Sequence, residues 1–130
     1  METPWKILVV DDEPSVVDYV ETILHNWKYE TCSCENGGSL MDIVASEKPD
    51  LILLDVMLPD IDGITLCHRL KSNPKTNSIP VIMLTSLTDV TTVHEAILYG
   101  ASDYVTKPVD VPSLKIKIEK AFKRLTHPYE

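Results

Sequence analysis

Five residues of this 130-residue chain carry side chains that could act together, and each stands at or just beyond a short apolar run. Asp11 and Asp12 follow KILVV, Asp55 follows LILL within PDLILLDVMLPDIDG, Thr85 follows PVIML, and Lys107 comes shortly after DYV. Asp55 raises the sharpest question, because taking an unpaired ionised carboxylate out of water is expensive. Either it sits at a strand tip and reaches solvent, or a cation meets it there. If the five converge, three carboxylates lie beside one hydroxyl and one ammonium. Crowded carboxylates raise one another's pKa values, and a hard divalent cation removes that penalty. Mg²⁺ takes oxygen ligands, few of them from protein, and completes its shell with water and phosphate oxygens. Lys107 adds a positive charge on a stem able to reach a phosphoryl oxygen, and Thr85 can donate to another. The chemistry such a set suits is that of a phosphoryl group beside a metal.

Taken singly, each residue has a plainer reading. Asp11 and Asp12 suit the start of a first helix, Thr85 a strand-end hydroxyl, and Lys107 a solvated surface. Asp60 and Asp62 are read plainly outright, Asp60 in a turn and Asp62 capping a third helix. The joint pattern of the other five carries the functional reading.

The elements that must position these residues alternate along the chain. Apolar, β-branched runs predict strands at Lys6 to Val10, Tyr29 to Ser33, Leu51 to Leu54, Pro80 to Leu84 and Asp103 to Val105. Between them lie helical spacings. Val17, Val20, Ile23 and Leu24 follow Pro14, which suits a first helical turn. Leu40, Ile43 and Val44 follow the break at Gly37 and Gly38. Asp62-Gly63 opens a third helix bearing Ile64, Cys67, His68 and Leu70, and Asn73 to Ser78 form a polar loop. Val93, Ala96 and Ile97 mark a fourth helix ended by Gly100. Leu114, Ile118, Ala121, Phe122 and Leu125 mark the apolar face of the last. Continuous apolar strands alternating with helices predict a parallel sheet covered on both faces, wound right-handed into three layers. In open sheets of this kind ligands bind at the carboxyl ends of the strands, where the five residues lie.

Composition agrees with one domain, set at residues 1–125, with 126–130 as a tail or the start of a linker. Twelve basic against 20 acidic residues give a net charge of −8. That argues against direct nucleic-acid or membrane binding and favours a cation site or a basic partner. The odd count of cysteines, Cys32, Cys34 and Cys67, reads as reduced thiols of a cytoplasmic protein. METPWK has no signal-peptide pattern, and no apolar run approaches a membrane span.

The stretches ILVVDDEP (Ile7 to Pro14), LILLDVMLPDIDG (Leu51 to Gly63), IPVIMLTS (Ile79 to Ser86) and GASDYVTKP (Gly100 to Pro108) resemble the receiver domain of two-component response regulators. The resemblance covers nearly the whole chain, in order and in the expected strands. It implies a flavodoxin-like α/β fold, a doubly wound five-stranded parallel sheet of order 2-1-3-4-5. It implies Asp55 as the phosphoacceptor, Asp12 as a direct Mg²⁺ ligand, Asp11 as a supporting acid acting largely through water, and Met57 as a ligand through its backbone carbonyl. Lys107 would pair with the phosphoryl group, Thr85 and Tyr104 would form the switch pair, and Pro108 would often follow a cis peptide bond. A sensor histidine kinase or phosphotransfer protein would supply the phosphoryl group. The face of the fourth helix, fifth strand and fifth helix would then change shape to control an output domain or partner, or to form a homodimer. The domain would be a signalling module, not an enzyme beyond its own phosphorylation and slow dephosphorylation.

Several departures bear on this. Ser86 stands where the family most often has Ala, and Val109 where Phe is frequent; neither should obstruct Asp55. Met57 and Leu87 are apolar at positions that in the family help set the rate of water attack. Slow self-dephosphorylation is the resulting expectation, with a lifetime that Met57→Asn plus Leu87→Glu should shorten. One rival reading is a pseudo-receiver, a docking module that works without phosphorylation; the intact charge cluster argues against it. A haloacid dehalogenase-type phosphatase wants a second acid two residues after the nucleophile, where Met57 stands. A nucleotide or flavin carrier is poorly served by four glycines with neither a P-loop nor GxGxxG.

Overall fold

The alternation seen in the sequence folds as five strands and five helices in strict succession. A computed structural model describes residues 4–86 and 90–127, with 90–92 as backbone. The elements are β1 (Lys6–Val10), α1 (Pro14–Asn26), β2 (Glu30–Cys34), α2 (Leu40–Glu47), β3 (Leu51–Asp55), α3 (Gly63–Ser72), β4 (Val81–Thr85), α4 (Val90–Leu98), β5 (Asp103–Thr106) and α5 (Val111–Thr126). The strands form one sheet of order β2-β1-β3-β4-β5. Every neighbouring pair is parallel. This is the doubly wound, flavodoxin-like fold expected from the sequence, with two core clusters separated by the sheet. Leu8, Val10, Ile52, Leu54 and Met83 pack toward α2 and α3. Ile7, Val9, Leu53, Ile82 and Leu84 pack toward α1 and α5. Alternate residues of each strand serve opposite faces, which is why β3 and β4 are apolar up to their last residues, Asp55 and Thr85, and buried at every position.

Local chemistry fixes where the helices begin and end. Pro14 occupies the first turn of α1, where its missing N–H costs nothing. Glu13, not Asp11 or Asp12, is the capping position, and it makes no side-chain cap. The helix-capping reading of those two acids is therefore set aside. Asp62 caps α3 by accepting from Thr65 N at 2.9 Å, as the sequence suggested. Gly100 ends α4 with φ +105°. Its N–H donates to Ile97 O and that of Ala101 to Ala96 O, a Schellman close that only a left-handed residue permits.

A few boundaries differ from the sequence reading. β2 is shifted by one residue to Glu30–Cys34 because Tyr29 N donates to Leu24 O and closes α1. Asp55 and Thr85 are the last residues of β3 and β4 rather than the first beyond them, and Asp55 is still in register with Leu84. Leu125 is 41% exposed and lies off the packed face of α5. Within the polar loop Thr76 is buried, donating to Leu70 O at 2.6 Å beyond the end of α3. The three cysteines are free. Among the described residues no helix is long and apolar enough to cross a membrane.

Candidate functional site

The carboxyl ends of β1, β3 and β4 and the segment after β5 meet at one end of the sheet. Asp11 N donates to Cys34 O at 3.1 Å, holding the residue after β1 against the end of β2. Val56 N donates to Leu84 O, so the exit of β3 stays beside β4. Lys107 N donates to Thr85 O at 2.8 Å, which brings the lysine from beyond β5 back to the tip of β4. The Lys107–Pro108 peptide bond is cis. Gly63 packs directly under Asp55: a Cβ there would lie 2.2 Å from the Asp55 carbonyl oxygen, so only glycine lets α3 begin so close to β3.

These contacts bring Asp11, Asp12 and Asp55 together, with one carboxylate oxygen of each within 4.8 Å of the others. Asp11 and Asp55 are buried, whereas Asp12 is exposed. Lys107 Nζ lies 2.6 Å from Asp11 Oδ2 and 3.3 Å from Asp55 Oδ2. The other Asp55 oxygen accepts from Met57 N at 3.1 Å, and the spare Asp11 oxygen accepts from Glu13 N at 3.0 Å. Three carboxylates against one ammonium leave a formal charge of −3 + 1 = −2 in a partly buried pocket.

Burial and the neighbouring charges together set the titration of Asp55 and Lys107. Burial lifts the Asp55 pKa above its ordinary value and Asp11 adds to the rise, while the Met57 N–H and Lys107 offset part of it. For Lys107, burial alone would lower the pKa; the hydrogen bond to Asp11 and the attraction of Asp55 and Asp11 outweigh it and hold the ammonium charged. Asp55 is thus a carboxylate short of positive charge. A cluster of hard oxygen donors with an uncompensated double negative charge and one solvent-facing member fits a divalent cation such as Mg²⁺.

Thr85 is buried at the tip of β4. Tyr104 is half-buried on β5, in register with Met83, and packs with the cluster toward α2 and α3. Met83 serves that same face and Thr85 lies two residues on, so Thr85 and Tyr104 share one side of the sheet. The Met57 side chain is 62% exposed, and its backbone lies beside Asp55. Leu87 lies outside the described residues.

One residue of the site region was underread in the sequence. Asp60 does more than occupy a turn: its two oxygens accept from Gly37 N and Gly38 N, each at 2.8 Å, and Oδ1 also accepts from Ile61 N at 3.0 Å. The β3–α3 loop that carries Met57 is thereby tied to the β2–α2 loop. The paired glycines were the visible signal, but nothing in the sequence linked them to Asp60.

Comparison with known proteins agrees with this geometry. The family model of the response regulator receiver domain matches residues 7–119. The DNA-binding dual master transcriptional regulator RpaA of Synechocystis is 36% identical over 92% of this chain and 49% of its own length. The response regulator PleD of Caulobacter vibrioides is 41% identical over 81% of this chain and 23% of its own. This chain thus spans about half, or less, of the curated relatives it matches. Among solved structures, the receiver domain of a signal transduction histidine kinase from Syntrophus aciditrophicus superposes with a TM-score of 0.87 at 33% identity, covering 95% of this chain and 93% of that one. The BeF3-activated N-terminal receiver domain of RstA from Klebsiella pneumoniae gives 0.82 at 33% identity, covering 89% and 97%. With the fold, the acidic pocket and the sequence match in agreement, the chain belongs to the response regulator receiver domain family.

Proposed function

We propose that this domain is a phosphorylation switch in which Asp55 accepts a phosphoryl group from a sensor histidine kinase or phosphotransfer protein. The observation that carries the reading is the placement of Lys107 Nζ between Asp11 and Asp55 at the tip of β3, in a pocket that remains two negative charges in excess. An Asp55 oxygen attacks the phosphorus of a phosphohistidine in line; a P–O bond forms, the P–N bond breaks, and the imidazole leaves. The Lys107 ammonium neutralises charge on the transferring oxygens, and the Thr85 hydroxyl donates to one of them. Asp12, Asp11, Asp55 and the Met57 carbonyl would hold Mg²⁺. The ion supplies further charge neutralisation at the phosphoryl oxygens.

The product is an aspartyl phosphate, hydrolysed later by water. Its oxygens draw the Thr85 hydroxyl inward, and Tyr104 on the same face of the sheet turns into the space released. The α4–β5–α5 surface then shifts between two packings, and a homodimer contact, an output domain or a separate partner reads the change.

Intact-mass spectrometry after incubation with Mg²⁺ and acetyl phosphate tests the reading. One added phosphoryl group in the wild type, absent in Asp55→Asn and absent with EDTA, is the expected result. No added mass under conditions that label other receivers would leave a docking module that works without phosphorylation.

A further inference from the structure

Among the described residues the ammonium of Lys117, on α5, makes three contacts, all with Tyr104 or the residue before it. Its Nζ donates to the Tyr104 carbonyl oxygen. It pairs with Asp103 Oδ1 at 3.4 Å. It also lies 4.7 Å from the centroid of the Tyr104 ring. Asp103 Oδ1 in turn accepts from Tyr104 N at 2.9 Å. Two of the three contacts, to a carbonyl and to a carboxylate, do not depend on where the Tyr104 ring points. They fix the charge in place. The third, a cation–π contact, depends wholly on the ring.

The geometry gives that contact a direction. β5 is the last strand of the sheet and has a free edge. The Tyr104 side chain packs with the cluster toward α2 and α3. α5 packs through Leu114, Ile118 and Phe122 against the opposite face. Lys117 therefore reaches the ring around the edge of β5. A ring under the ammonium sits at that edge; a ring turned toward Thr85, further in on its own face, leaves the ammonium behind. With its side chain 24% exposed, Lys117 is partly shielded from water, which strengthens attraction to the ring.

We propose that Lys117 is a positioning residue that latches the Tyr104 ring at the sheet edge and so sets the resting balance of the switch. The role of Tyr104 as a switch residue rests on the receiver reading above; the latch itself is a property of the unphosphorylated protein. Losing one cation–π contact of ordinary strength should raise the population of the inward ring about fivefold.

The test is fluorine NMR of the full chain labelled with fluorotyrosine, without phosphoryl donor. The Tyr104 signal is assigned by its loss in Tyr104→Phe. Lys117→Met, which keeps the stem and removes the charge, should shift the Tyr104 signal and leave the other tyrosine signals in place. Lys117→Arg should restore the wild-type position. An unmoved Tyr104 signal in Lys117→Met, or an equal shift in Lys117→Arg, would overturn the latch. Phosphorylated wild type should shift the signal in the same direction as Lys117→Met, and an opposite shift would also overturn it. If acetyl phosphate leaves Asp55 unlabelled, the receiver chemistry fails while the measurement on unphosphorylated protein still decides the latch.

Discussion

The two ends of the Asp55–Gly63 segment treat a carboxylate in opposite ways. At the first end, Asp55 is buried beside Asp11 and shares one lysine with it. Its pKa is pushed up, by burial first and by the neighbouring acid as well. Toward the other end, Asp60 is exposed and saturated by backbone donors; the N–H groups of Gly37 and Gly38 chiefly, and that of Ile61, hold its pKa below the ordinary value. The difference separates two uses of the same side chain. A structural carboxylate is supplied with all the donors it needs, so its charge is a settled part of the fold. Asp55 shares its one cation with Asp11 and stays buried at a cost, which is what the proposed role of meeting a cation or phosphoryl group would require.

The contrast can be broken first at its charged end. Lys107→Met should slow phosphoryl incorporation from acetyl phosphate by about 10²–10³-fold, the usual loss for one preorganised charge-stabilising group, read by intact mass over time. The second effect is on stability. Mg²⁺ at about 100 times its Kd should stabilise the wild type by about 2.7 kcal/mol, seen as a rise in Tm. Asp12→Ala should abolish that rise while Asp60→Ala keeps it. A Tm response lost equally in both variants would mean that the two carboxylates are not distinct in use.

The structural end should respond in stability alone. Asp60→Ala strips the acceptor from Gly37 N and Gly38 N and should lower Tm more than Asp62→Ala, which removes only the α3 cap and should cost about 1 kcal/mol. Thermal melts of the two variants in EDTA make the comparison. The smallest effect is in pH dependence. Because the folded state holds the Asp60 pKa below its unfolded value, the unfolded chain takes up the proton first as pH falls. The contribution of Asp60 is therefore complete above about pH 4 and is lost as pH drops through the depressed folded value. Asp60→Asn should flatten that part of the acid limb in denaturant titrations, and an unchanged limb would show that the two loops are tied by something else.

The sequence by itself determined the elements and the end of the sheet at which the acidic cluster sits. Buried parallel strands need unbroken apolar runs, Pro14, Asp62 and Gly100 mark helix ends by local backbone chemistry, and strand topology then delivers Asp11, Asp12, Asp55, Thr85 and Lys107 to one end of the sheet. All of that is encoded over a few neighbouring residues or by the order of elements. Only the tertiary structure decided which partner each charge takes. Lys107 lies closer to Asp11, 96 positions away in the chain, than to Asp55. Asp60 finds its donors across 23 and 22 positions, Lys117 settles on Tyr104, and Leu125 falls off the face its spacing suggested. Such pairings depend on how the layers meet. A side chain's type states what it can bond; its partner is set by packing between segments that are distant in the chain.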